Sequence, residues 1–208
     1  TMHGCRDTTS QSLVVHPLPR ADFNPSKTAD CAPFTISNSI INLVQYQNAN
    51  HTYEWTIYNR YHTAVQTFTG TSFPSYTIPN PGDTIYIQLV AKNNYGCKED
   101  TMEVMFNTYE DPKADFSMDV NQGCHPLTVN FNNLSLPSNI TYQWDFGDGS
   151  TSNTKNPSHT FTNTSHTVDS TYTVELIATS GEGCTDTIKK QVTVFALPEA
   201  NFNYIPAC

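Results

Sequence analysis

Charge is scarce in this chain. Charged residues make up 14% of the 208, against about a quarter in an ordinary soluble domain. The charge present is acidic, a net −9, and diffuse, which reads first as solubility. No basic stripe exists, which excludes the electrostatic footprint of a nucleic-acid binder. No apolar run reaches the length of a membrane span, and no signal peptide opens the chain. There is no G-x-S-x-G elbow, phosphate loop or dinucleotide fingerprint. The seven histidines (His3, His16, His51, His62, His125, His159 and His166) never fall at a metal-ligand spacing. The six cysteines include no C-x-x-C pair, which argues against zinc. These absences together predict a chain that is not an enzyme.

What the chain does have is 37% hydrophobic and 12% aromatic residues, enough for packed cores. Its polarity comes mainly from Thr, Asn and Ser, and β-branched Thr favours strands. Internal repetition is the strongest signal. Ala21-Asp22-Phe23 returns as Ala114-Asp115-Phe116 and again as Ala200-Asn201-Phe202, each with a Pro two residues earlier. Cys31-Ala32-Pro33 answers Cys124-His125-Pro126. Gly96-Cys97 and Gly183-Cys184 each precede an Asp-Thr, as does Gly4-Cys5.

The repeat predicts two whole domains at 20–108 and 113–196. Residues 1–18 would be the last strand of a preceding repeat, and 198–208 the first strand of a following one. The chain is accordingly expected to be an internal piece of a longer protein. Period-2 alternation predicts strands near 114–119, 127–132, 140–146, 158–161, 170–178 and 184–195, with the same order in the first domain. No helix of ten or more residues is expected.

Within the second domain the run Tyr142-Gln143-Trp144-Asp145-Phe146-Gly147-Asp148-Gly149-Ser150 resembles the W-D-F-G-D-G signature of PKD domains. Asn156-Pro157-Ser158-His159 and Tyr172-Thr173-Val174 are similar to the two elements that follow it in that family. In the first domain Trp55 stands for Trp144, but Thr56-Ile57-Tyr58 replaces the Asp-Phe-Gly, so that copy is degenerate. The resemblance implies an all-β fold of tandem immunoglobulin-like antiparallel β-sandwiches. Trp55 and Trp144 would be core anchors, and Asp145, Gly147, Asp148 and Gly149 would form a tight turn. His159 and Tyr172 would be structural strand residues. A Ca²⁺ site on Asp145 and Asp148 is the alternative use of those carboxylates, disfavoured because a hard cation wants six or more oxygens.

With its cysteines, the array is similar to the tandem repeats of large Bacteroidetes surface adhesins of the gliding, type IX-secreted kind. That implies an extracellular, cell-surface stalk or spacer. Its partners would be neighbouring repeats of the same chain and surface polysaccharide or other glycans, with no membrane insertion in this segment. An accessory, substrate- or carbohydrate-binding region of a secreted hydrolase is the alternative. Asp-Ser/Thr steps at Thr8, Thr84, Thr101, Ser170 and Thr187 resemble the O-glycosylation motif of such exported proteins. The plainer reading is that Asp-Thr opens strands after turns.

Disulfides follow from topology. In an immunoglobulin-like sandwich, Cys31 and Cys124 fall in the turn after the first strand, and Cys97 and Cys184 in the last hairpin. These lie at opposite ends, about 20 Å apart at ~3.3 Å per residue, whereas a disulfide needs Cα atoms within about 7 Å. The favoured pairing is Cys31–Cys184 between successive repeats. Cys5, Cys97, Cys124 and Cys208 would then bond to other repeats. Pairing within each domain, Cys31–Cys97 and Cys124–Cys184, stays open if the first strand folds back on itself.

Overall fold

The computed structural model describes residues 9–42 and 50–199. They form two compact units. One is built from residues up to Thr28, Thr35–Ile78 and Thr84–Asn107, the other from Ala29–Phe34, Pro79–Asp83 and the residues from Thr108 on. Segments 29–34 and 79–83 were read from sequence as part of the first domain, yet they pack with the second unit.

The first elements along the chain are β1 (Ala29–Asp30), β2 (Phe34–Ile36), a one-turn helix α1 (Asn38–Ile41), β3 (His51–Asn59), β4 (Ala64–Thr69), β5 (Tyr76–Ile78), β6 (Thr84–Asn93) and β7 (Asp100–Thr108). One sheet has the order β1-β7-β6-β3-β4, and β2 pairs with β5. Alternation decides what goes inside. Ile85, Ile87, Leu89 and Ala91 of β6 are buried, facing the same core as Tyr53, Trp55 and Ile57 of β3. Trp55 is fully buried, with Phe23 at 5.5 Å and Phe73 at 5.3 Å between ring centroids.

The second unit continues with β8 (Phe116–Met118), β9 (Gln122–Cys124), β10 (Leu127–Asn133), β11 (Thr141–Asp145), β12 (Thr151–Ser152), β13 (Ser158–Phe161), β14 (Ser170–Thr179) and β15 (Thr185–Phe195). Its sheets have the orders β13-β10-β8 and β12-β11-β14-β15-β9. Their facing sides bury Phe116, Val129, Phe131, Trp144, Phe146, Phe161, Val174, Leu176, Val192 and Val194 in one core. Trp144 lies at its centre, 5.1 Å from Phe116 and 5.3 Å from Phe131. This is the two-sheet packing of an immunoglobulin-like sandwich.

Two expectations need correction. The strand expected near 114–119 is present as β8 (Phe116–Met118), but shorter. β8 stops at Met118, and the chain crosses to the other sheet to run as β9, parallel to β15. Asp119 anchors the crossing: it accepts from the N–H groups of Val120 (2.8 Å) and Asn130 (2.9 Å) and from the Asn130 side chain (2.7 Å). The second correction concerns the strand expected within 1–18. Residues 1–8 lie outside the described residues, and 9–18 belong to no sheet. Leu13 and Val15 are 89% and 82% exposed. They stand at the same distances before Pro19 as Val192 and Val194 stand before Pro198, and those two are fully buried in β15. The sequence pattern is that of a strand, but no neighbouring strand among the described residues pairs with it. Of the following repeat, 200–208 also lie outside the described residues.

Candidate functional site

A cluster of polar side chains surrounds the turn after β11. Asp145 ends the strand and accepts the Gly147 N–H at 2.8 Å. Phe146 N–H closes on the Ser150 carbonyl at 3.1 Å. Gly147 has φ 79°, and a Cβ there would come within 2.6 Å of the Thr173 carbonyl oxygen. Only glycine fits such a position. Asp148 accepts the Ser150 N–H at 3.0 Å, and its other oxygen lies 2.7 Å from His159 Nε2. The His159 ring stacks on Phe146 at 4.2 Å and meets Phe161 edge-on at 4.7 Å. His159 therefore sits at the rim of the core rather than within it, because its carboxylate partner is half-exposed. Burial raises the Asp148 carboxyl, but the Ser150 hydroxyl, the His159 ring and the Ser150 N–H outweigh it and hold the group below the usual carboxylate range.

Ser150, His159 and Asp148 are the three residue types of a hydrolytic triad, brought together by a turn and β13. Their geometry is not that of a relay. Ser150 Oγ, at 3.2 Å, and Asp148 Oδ2 both contact the same ring nitrogen, Nε2. A relay needs the acid on one nitrogen and the hydroxyl on the other. The Ser150 hydroxyl is also bound directly to Asp148. The cluster ties the turn to β13. Both Asp148 oxygens are engaged in that work, which leaves few for a Ca²⁺ ion. Among the described residues no group of three or more His, Cys, Asp and Glu side chains is placed to hold a metal. Tyr172 is half-buried, and its hydroxyl donates to the Thr162 carbonyl, fixing the start of β14.

A second set of contacts was not foreseen from sequence, although its residues recur. Asp100 accepts the Ala21 N–H at 2.9 Å, and Asp186 accepts the Ala114 N–H at 2.8 Å. Asp100 and Asp186 thus latch the incoming Ala-Asp-Phe segments to the last strands. Asp169, of Asp169-Ser170, accepts the Ala196 N–H at 2.8 Å. The signal available in sequence was the paired recurrence of the two motifs. Thr101 and Thr187 are exposed, Thr84 and Ser170 half-buried, and Thr8 lies outside the described residues.

Cys31 and Cys184 form a disulfide with Cα atoms 5.4 Å apart, 153 residues apart in sequence. Both belong to the second compact unit. The alternative pairs Cys31–Cys97 and Cys124–Cys184 are not formed; Cys97 and Cys124 are free thiols. Cys124 pairs in register with Phe195 at the far end of β15, whereas Cys184 precedes its first residue. A whole strand separates them. Cys5 and Cys208 lie outside the described residues.

Residues 109–194 match the family described as "PKD domain". A pre-pro-metalloprotease, PrtV, from two strains of Vibrio cholerae serotype O1 is 33% identical over 97 residues, 45% of this chain and 10% of the relative. The chain thus spans about a tenth of that relative's length. The crystal structure of the PKD1 domain of PrtV is 33% identical, covering 40% of this chain and 96% of the domain, with a TM-score of 0.34. The PKD1 domain of Vibrio anguillarum Epp is 28% identical over 42% of this chain and 98% of that domain, with a TM-score of 0.34. The fold is all-β and immunoglobulin-like, and the stretch 109–194 is the part that matches the PKD family.

Proposed function

We propose that this chain is a non-catalytic spacer from an extracellular protein, a length of stalk in which PKD-type sandwiches repeat and present something beyond themselves. One observation carries the reading: the same joinery is built twice. The Ala21–Asp100 bond has its counterpart in Ala114–Asp186. Thr35 and Thr77 hydroxyls meet at 2.9 Å, as do Thr128 and Thr160. Both tryptophans reach a backbone carbonyl through Nε1, Trp55 to Gly70 at 3.2 Å and Trp144 to Thr154 at 2.9 Å. Duplicated framework contacts, with the Asp148–Ser150–His159 cluster absorbed into a turn, favour length and shape over chemistry.

The disulfide favours an oxidising, extracellular compartment. Cell-surface adhesion or gliding, export by type IX secretion, and contacts with neighbouring repeats and surface polysaccharide are the finer parts of the proposal. They rest on the sequence resemblance. Thr101 and Thr187, the exposed Asp-Thr positions, are the proposed O-glycan carriers.

The match to a metalloprotease over a tenth of its length favours one second reading, an accessory region of a secreted hydrolase. A replacement experiment separates the two. In cells that make the parent protein, this segment is exchanged for unrelated immunoglobulin-like sandwiches of equal length. A spacer predicts that surface function survives the exchange and declines when the segment is simply deleted. Loss of function on exchange, with polysaccharide or protein-substrate binding by the isolated chain, supports the accessory reading instead.

A further inference from the structure

Cys97 and Cys124 each repeat the local structure of a cysteine that is already bonded. Cys124 repeats Cys31. Beside β7, the Asn107 N–H donates to the Thr28 carbonyl at 3.0 Å; beside β15, the Thr193 N–H donates to the Asn121 carbonyl at 2.9 Å. Three residues after Thr28 comes Cys31, and three residues after Asn121 comes Cys124. Each is followed two residues later by a proline, Pro33 and Pro126. Cys97 repeats Cys184. The Cys97 N–H is capped by the Asn93 side chain at 3.1 Å, and the Cys184 N–H by the Ser180 hydroxyl at 3.1 Å, in both cases four residues upstream. The backbone that presents a sulfur to its partner is thus built at four places and used at two.

Cys124 cannot reach the last-hairpin cysteine of its own sandwich, and Cys31, the counterpart of Cys97 in the first repeat, is already bonded to Cys184. Cys124 lies beside Phe195, and Cys184 precedes Thr185, so the eleven residues of β15 separate them. That is roughly 36 Å at ~3.3 Å per residue, far beyond disulfide reach. The observed bond runs from the cysteine after a first strand to a last-hairpin cysteine 153 residues further on. Repeating that rule along the sequence, the partner of Cys124 is the last-hairpin cysteine of the sequence repeat that follows. The partner of Cys97 is the post-first-strand cysteine of the sequence repeat that precedes.

We infer that Cys124 and Cys97 are the two open halves of the Cys31–Cys184 type of bond, and that the chain is made to be joined covalently, head to tail, to further copies of the same unit. This rests on the spacer reading and names its partner. A second copy of this chain carries both complementary halves, so Cys124 of one molecule should bond Cys97 of the next. The chemistry requires a disulfide oxidant such as glutathione disulfide. The Cys124 thiolate attacks it, forming a mixed disulfide and releasing one glutathione thiolate. The Cys97 thiolate of the second molecule then attacks the protein sulfur, forming the protein–protein bond and releasing the second. One glutathione disulfide is reduced to two glutathiones for each bond formed.

The test uses the full 208-residue chain with Cys5→Ser and Cys208→Ser, so that only Cys97 and Cys124 are free. It is equilibrated at high protein concentration in a glutathione redox buffer, resolved without reductant and mapped by mass spectrometry. The expected result is a ladder of covalent multimers whose cross-linked peptides are Cys97–Cys124, well above the one-half share of random pairing. Adding Cys97→Ser or Cys124→Ser should collapse the ladder to dimers at most. Absence of multimers, or random pairing among Cys97–Cys97, Cys124–Cys124 and Cys97–Cys124, overturns the inference. If the ladder fails while the replacement experiment above still succeeds, the spacer reading stands without covalent joints. If the ladder forms and the replacement fails, the joints belong to some other function.

Discussion

The Asp186 carboxylate accepts the backbone N–H of Ala114 at 2.8 Å, across 72 residues of sequence. That contact helps fix where the first strand enters the second sandwich, beside the Lys113–Leu136 bridge and the Asp115–Ser135 bond. A hydrogen bond to a charged acceptor contributes about 1.5–3 kcal/mol, and the low end applies to a half-exposed group. Asp186→Ala should therefore destabilise the second unit by about 1.5 kcal/mol, while Asp186→Asn, which keeps an acceptor, should lose less. Chemical denaturation measures both. Equal losses would mean that the carboxylate charge, rather than acceptance from Ala114, matters.

Trp144 is the largest fully buried side chain of the second core. Trp144→Ala should cost about 3–5 kcal/mol in lost burial and cavity. Small domains hold only about 5–15 kcal/mol in total, so this one change should bring the second unit close to unfolding. Following urea unfolding by circular dichroism tests this; a loss under about 1 kcal/mol would contradict the burial.

Most of the second sandwich was legible in the sequence because its strands are long and half-buried. Leu127, Val129 and Phe131 alternate, as do Val174, Leu176 and Ala178, and β10 and β14 lie where that alternation ran. What could not be read were strands too short to show a period. β9 holds Gln122–Cys124 and β12 only Thr151–Ser152, and pairing partners rather than side-chain pattern define them. The crossing at Asp119 was hidden for the same reason: Ala114 to Asp119 looks like one strand until Asn130 offers Asp119 its N–H. At the turn, the role of each Asp was legible from Gly147 and Gly149. The convergence of Ser150 and His159 on Asp148 depends on β13 folding back from nine residues away, which no local pattern encodes.

Gly147 and Gly149 both have positive φ, 79° and 91°, but only Gly147 is crowded. Gly147→Ala puts a methyl group against the Thr173 backbone, whereas Gly149→Ala meets nothing within 4 Å. Backbone strain alone costs of order 1–3 kcal/mol. Gly147→Ala should exceed Gly149→Ala by the cost of displacing β14. Thermal melts of the two variants decide it, and equal shifts would contradict the close approach.

Among the described residues three carboxyls are held below the usual carboxylate range: Asp115 chiefly by the Lys190 ammonium, Asp119 by the Asn130 backbone N–H, and Asp148 by Ser150 and His159 against the opposing pull of burial. Their folded-state pKa values lie below the unfolded ones, so in acid the unfolded chain binds more protons. The stabilisation is complete above the unfolded value, about pH 4, and is lost as pH falls through the depressed folded values. The urea midpoint should fall steadily from about pH 5 toward pH 2. Asp119→Asn should flatten that slope while leaving neutral-pH folding intact. A midpoint independent of pH in this range would contradict the assignment.

Force applied between the two termini tests the mechanical account most directly. The Cys31–Cys184 bond closes a span of 153 residues, which should be unable to extend while the bond is intact. At ~3.3–3.6 Å per residue, the locked length is roughly 500–550 Å. Single-molecule pulling of the oxidised chain should show an unfolded contour length shorter by that amount than after treatment with reductant. A contour length that reductant leaves unchanged would contradict the claim that this chain is a covalently stapled spacer.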